Sequence, residues 1–130
     1  MRKANEQEVV TQLIAAYQEE ATLYASLEEA ALEQFHILRN GHDEGRLDAL
    51  TERQRQLAEN IGRIEAGIAP LREYWEHVRD TPRAKAVSAL SKDLDCLLER
   101  LAELIHQIVQ IEKHNARVLM ATVAPSGTQT

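Results

Sequence analysis

Apolar residues recur at alternating steps of three and four along most of this chain, and this spacing restricts its fold more than any other feature. The most regular run lies in the last third of the chain and consists of Val87, Leu90, Leu94, Leu97, Leu101, Leu104, Ile108 and Ile111. Such steps place side chains on one face of an α-helix. Only five glycines and three prolines interrupt 130 residues. We therefore predict an all-α fold without strands.

The first helix is predicted from about residue 5 to 39. Its apolar stripe comprises Val10, Leu13, Tyr17, Tyr24, Leu27, Ala31 and Leu38, with Ile14 and Phe35 beside it. Glu20 and Gln34 fall within the stripe and interrupt it. Gly41 is suited to the positive φ that often follows a helix end, and Asp43 to capping the next helix.

The second helix is predicted from about residue 44 to 79. Its stripe comprises Leu47, Leu50, Leu57, Ile61, Ile64, Ile68, Leu71, Trp75 and Val78, with Gln54 as a polar member. Because Pro70 removes one backbone hydrogen bond, we expect a kink between Ala66 and Pro70. Two separate helices meeting there are the alternative, and the unbroken stripe favours the kink.

The third helix is predicted from about residue 82 to 121. Thr81 is expected to be its N-cap, with Pro82 at the first helical position. Residues 122–130 are small and polar and are expected to form a disordered tail. Three segments of roughly 50 Å each, at about 1.5 Å per residue, joined by short breaks, predict a single domain over residues 1–121. Its expected architecture is an elongated antiparallel up-down-up bundle.

Charge and cysteine content narrow the classes of partner and the compartment. The formal net charge of −6 disfavours nucleic acid and anionic lipid, both of which require a concentrated basic surface. The first helix is acidic, which is typical of a solvated face and would also suit a basic partner. Cys96 is the sole cysteine, so an internal disulfide is impossible. With neither a signal-peptide pattern nor a membrane-spanning run, a cytoplasmic location is expected.

Two Glu-x-x-His pairs, Glu33 with His36 and Glu103 with His106, are the strongest candidates for chemistry. This spacing supplies metal ligands in di-iron four-helix bundles. Here both pairs lie off the predicted seams, and only three helices are predicted. No phosphate loop, nucleophile elbow or zinc spacing is found in the sequence. We therefore expect neither an enzyme nor a cofactor or metal site, and we expect the Cys96 thiol to be inert.

The third helix carries more apolar surface than one seam requires. A second stripe runs beside the first and consists of Leu98, Ala102, Ile105, Val109, Ala116, Leu119 and Met120, with Glu112 interrupting it. Three explanations remain open. The third helix could be central and bury one stripe on each neighbour, the second stripe could receive a helix of another protein, or it could mediate self-association.

The sequence also resembles the FlgN-type flagellar export chaperones over nearly its whole length. The likeness comprises Leu13–Glu20, Tyr24–Leu27 and Leu38–Gly41 in the first helix, then Leu47–Leu50, Arg53–Leu57 and Ile61–Trp75 in the second. The regular leucines of the third helix, with Asn115 before Val118 and Leu119, also fit. Pro70 departs from the pattern expected of this family.

The resemblance implies a cytoplasmic helical chaperone that binds the C-terminal helical segments of hook–filament junction proteins. Such a chaperone prevents premature polymerisation and delivers its clients to the type III export apparatus. In the family the C-terminal helix contacts the client, which coincides with the second stripe. A related flagellar or virulence secretion chaperone with another client is one alternative. A structural or regulatory coiled coil that self-associates through its third helix is the other.

Overall fold

Three long α-helices make up most of the computed structural model, which describes residues 5–41 and 43–128, with side chains described as far as Ala121. The helices are α1 (Glu6–Asn40), α2 (Glu44–Val78) and α3 (Ser88–Thr128), and a short 3₁₀ helix, Pro82–Val87, precedes α3. No strand occurs within the described residues. The predicted all-α class is confirmed.

Capping residues explain where α1 and α2 begin. The Asn5 side-chain oxygen accepts a hydrogen bond from the Glu8 amide at 2.8 Å. Asp43 Oδ1 likewise accepts from the Arg46 amide at 3.1 Å. Each bond satisfies an amide that has no partner within its own helix. Gly41 lies between these helices with φ 111° and ψ 151°, a conformation that favours glycine.

The start of the third helical segment differs from the prediction at Thr81. Thr81 precedes the 3₁₀ helix in an extended conformation, but its side chain makes no capping hydrogen bond. Its hydroxyl instead donates to the Val78 carbonyl at 2.7 Å, so it satisfies the end of α2. The chain from Pro82 first forms 3₁₀ turns, and α-helical geometry begins only at Ser88.

Two further helix expectations concern Pro70 and the C-terminus. α2 continues through Pro70 as one helix, whereas the expected kink stays a prediction. α3 extends to Thr128, beyond the helix end that we predicted at residue 121. Extending a helix that has already formed needs no new nucleus, so polar composition alone does not end it. The predicted tail comprises residues 122–130. Residues 129–130, and all side chains from Thr122 onward, lie outside what the structure describes.

The first helix is the one that packs along both others. α1 has extensive contacts with α2 and with α3, whereas α2 and α3 have few direct backbone neighbours in each other within the described residues. Adjacent pairs of buried residues on α1 show how it faces two partners, and these are Val9 with Val10, Ala30 with Ala31, and Ile37 with Leu38. The expectation that α3 could be the central helix is therefore wrong.

Candidate partner-binding groove

The three helices share a core at one end of the molecule, whereas α2 and α3 share no apolar cluster toward the other end. The largest apolar cluster joins the start of α1, the end of α2, the 3₁₀ helix and the first half of α3. A second, smaller cluster still joins all three helices through Leu27, Ile61 and Ile108. In the third, Ala30, Ile37, Leu50 and Leu47 come from α1 and α2 alone. Beyond Ile108, α3 therefore shares no apolar cluster with α2 among the described side chains.

This separation leaves an open groove between α2 and α3, with a volume of about 620 Å³. Its floor includes Tyr24, Leu27 and Gln34 of α1. The α2 wall is mostly polar, and consists of Thr51, Gln54, Arg55 and Ala58. The α3 wall is mostly apolar, and consists of Ile105, Ile108, Val109, Glu112, Asn115, Ala116 and Leu119. One side of the groove can therefore bury an apolar surface while the other meets polar groups.

Much of the predicted second stripe lies uncovered along this groove. Its large members have exposed fractions of 36% for Ile105, 40% for Val109 and 44% for Leu119. Together with the exposed Ala116, they line the groove. These four residues form the open stripe. The second half of α3 thus has apolar surface that remains in contact with solvent, as both the partner-helix and the self-association explanations require.

The other three predicted site residues are placed differently. Leu98 is half-buried and packs against the largest apolar cluster, so it belongs to the core of the closed end. Ala102 is exposed but does not line the groove. Met120 is 69% exposed and also lies outside the groove lining. The predicted stripe is therefore divided: Leu98 packs in the core of the closed end, whereas the residues from Ile105 onward include those that line the groove.

Polar residues that interrupt the sequence seams pair with one another between helices. Gln34 of α1 and Gln54 of α2 exchange two side-chain hydrogen bonds, at 3.2 and 3.1 Å. Asn115 of α3 donates through Nδ2 to the Ala31 carbonyl of α1 at 2.9 Å. Both interactions lie at the groove. Buried or half-buried polar contacts of this kind specify the register between helices. The sequence did not predict these contacts, because the pattern on one helix does not show which residue of another helix lies opposite.

The charge on the α2 wall is neutralised locally. The Arg55 guanidinium forms ion pairs with Glu52 and Glu59 on the same helix. Glu52 accepts a hydrogen bond from Arg55, which lowers the pKa of its carboxyl. Exposed pairs of this kind contribute little to stability. The groove therefore presents no concentrated charge of one sign, and its apolar α3 wall is its most distinctive feature.

The Glu-x-x-His pairs do not assemble into a common site. Glu33 forms an ion pair with Arg46 at 3.0 Å, while His36, Glu103 and His106 are exposed. No group of three or more His, Cys, Asp or Glu residues is arranged to hold a metal ion within the described part of the chain. Cys96 is exposed on α3.

Comparison with known proteins found no match among protein-family models, curated proteins or solved structures. None of the described helices has the combination of length and apolar content that a bilayer-spanning segment requires.

Proposed function

We propose that this protein is a helical export chaperone of the FlgN type, and that its groove between α2 and α3 holds an amphipathic helical segment of a client. The observation that carries the proposal is the open stripe, which begins at Ile105, beside the last cluster that α3 shares with α2, and continues to Leu119 where no such cluster is shared. In this proposal the protein acts in the cytoplasm by binding its client, and it catalyses no reaction.

A single helix is the occupant that best suits this groove. The groove is lined by α1, α2 and α3 and is open where a fourth helix would lie. It therefore resembles a four-helix bundle that lacks one helix, because the core of such a bundle forms from the facing apolar stripes of its helices. A guest with one apolar and one polar face would bury its apolar side on Ile105, Val109 and Leu119. Its polar side would then meet Gln54 and Arg55 of α2. This is the helix-in-groove mode of recognition.

The sequence resemblance supplies the proposed identity of the client. FlgN-type chaperones bind the C-terminal helices of hook–filament junction proteins, keep them from polymerising and deliver them to the type III export apparatus. A polymerising helix has an apolar face that aggregates when exposed, and an apolar groove would cover that face. The client must order on binding, which costs part of the interaction energy and makes later release at the export apparatus easier.

We also propose how the three helices are arranged in the bundle. α1 and α3 would run in the same direction and α2 in the opposite one, because the start of α1 shares a cluster with the end of α2 and the first half of α3. A bend of α2 near Pro70 would direct its first half away from α3. Such a bend would account for a groove that opens toward one end.

Self-association through α3 is the competing use of the same surface. It is favoured by Met120, whose side chain is 69% exposed near the end of the open stripe. A structural or regulatory coiled-coil protein would use this surface to pair with a second copy, and the groove would then be closed by that copy.

The deciding experiment combines light scattering with hydrogen exchange, using peptides from the C-termini of hook–filament junction proteins of the same bacterium. The proposal expects a monomer that binds one peptide and gains amide protection around residues 105–119 of α3. As a control, a peptide of identical composition but scrambled apolar spacing should not bind. A stable dimer that ignores the junction peptides would refute the chaperone proposal and support self-association.

A further inference from the structure

A buried carboxyl group lies in the α1–α2 interface. Glu20 of α1 is only 2% exposed, although glutamate is rarely buried unless it is paired. Its Oε2 atom is buried and has no hydrogen-bond partner among the described residues. Tyr17 and Tyr24 lie one turn to either side on α1. A fully ionised carboxylate in such surroundings would carry a large desolvation cost.

The facing residues of α2 supply a second carboxyl group and one cation. After burial, the neighbouring carboxyl group of Glu65 is the next cause that raises the pKa of Glu20, and Glu65 also forms an ion pair with Arg72. The neighbouring Tyr17 hydroxyl, followed by Glu65, raises the pKa of the Arg72 guanidinium. Among the described residues, no titratable group of α3 or of the 3₁₀ helix contributes to the electrostatics of Glu20. The cluster therefore contains two carboxyl groups and one guanidinium, and Arg72 can neutralise one carboxylate.

Two carboxyl groups can hydrogen-bond each other only if one of them carries a proton. We propose that Glu20 and Glu65 share a single proton across the α1–α2 interface, so that the packing of α2 on α1 is linked to pH and weakens when this proton is lost. Arg72 balances the remaining negative charge. The proposal does not depend on the identity of any client.

The direction of the expected pH dependence follows from proton linkage. Burial, followed by the hydrogen bond and the charge of Glu65, raises the pKa of Glu20 to about 8. The unfolded chain releases the same proton near the ordinary value of 4.5. Between these values the folded protein binds more protons than the unfolded chain, so its stability falls as pH rises. The unfolding equilibrium constant should increase by up to about tenfold per pH unit from this pair alone.

The test compares Glu20→Gln with the full-length wild-type protein, because glutamine mimics the protonated carboxyl group. Trp75 is the sole tryptophan, and it is buried on α2 in the same cluster as Tyr17, so its fluorescence reports unfolding of this interface. Urea unfolding from pH 5 to pH 9 should show a wild-type stability that falls more steeply than that of the variant. Above pH 8 the variant should be the more stable protein.

Several controls isolate Glu20 from other groups that titrate. Glu19→Gln changes an exposed neighbour and should keep the wild-type pH dependence. The histidines are the same in all variants, so their contribution cancels. Carbon-13 NMR of the wild-type glutamate carboxyl groups measures the titration directly and does not require the variant to fold. A Glu20 midpoint between 4 and 5, or equal pH dependence in Glu20→Gln and wild type, would overturn the proposal.

Discussion

Replacing Ile105 and Val109 together with aspartate should abolish client binding while leaving the fold intact. The side chains of Ile105 and Val109 are 36% and 40% exposed, and a guest helix would cover this exposed part. Full burial of such a side chain contributes about 1.5–3 kcal/mol, so losing this remainder costs roughly 1–2 kcal/mol for the pair. Each new carboxylate facing the apolar guest adds about 1–3 kcal/mol of unsatisfied polarity. The sum exceeds about 3 kcal/mol, which weakens binding at least ~100-fold.

Titration calorimetry with the junction-protein peptide measures this loss, and circular dichroism with urea unfolding measures the fold. Because more than a third of each side chain is exposed in the free protein, the double variant should keep its helical content and unfold cooperatively. Ile108→Ala is the matched control, since Ile108 is buried between these positions and should cost about 2–5 kcal/mol of stability. Unfolding of the aspartate variant, or undiminished peptide affinity, would refute the assignment of the open stripe as the docking surface.

Two further predictions concern stability measured by urea unfolding. Asn115→Ala removes the hydrogen bond to the Ala31 carbonyl and should lower the unfolding free energy by about 1 kcal/mol; an unchanged value would mean that this contact does not hold α3 on α1. Gly41→Ala and Gly67→Ala should have opposite signs, although an added Cβ meets no atom within 4 Å at either position. At Gly41 the positive φ should cost about 1–3 kcal/mol, whereas within α2 alanine at residue 67 should gain about 0.5–1 kcal/mol. Equal effects would contradict this conformational explanation.

The helices were readily predicted because their signals are local. Steps of three and four between apolar residues mark a helix face regardless of what covers that face. Asp43 was likewise recognisable as a cap, and its bond to the Arg46 amide is observed. The predicted cap at Thr81 was wrong in its hydrogen bond, because the Thr81 hydroxyl donates to the Val78 carbonyl at the end of α2 instead.

The apolar excess of α3 was also visible in the sequence, but its division was not. Leu98 and Ile105 have the same character and lie on the same face, yet one packs into the core and the other lines the groove. The difference depends on where α2 lies relative to each residue. Helical periodicity contains no information about the distance to another helix.

The amino-acid sequence by itself determined that this chain forms three helices, where most of their ends lie, and that the last helix has two apolar faces. Only the tertiary structure decided that α1 is central, that Gln34 pairs with Gln54, and that Glu20 meets Glu65 and Arg72. The physical reason is the range of the interactions. Helix formation and capping act over about four residues, whereas burial and proton sharing depend on side chains that are distant in sequence and meet only when the helices pack.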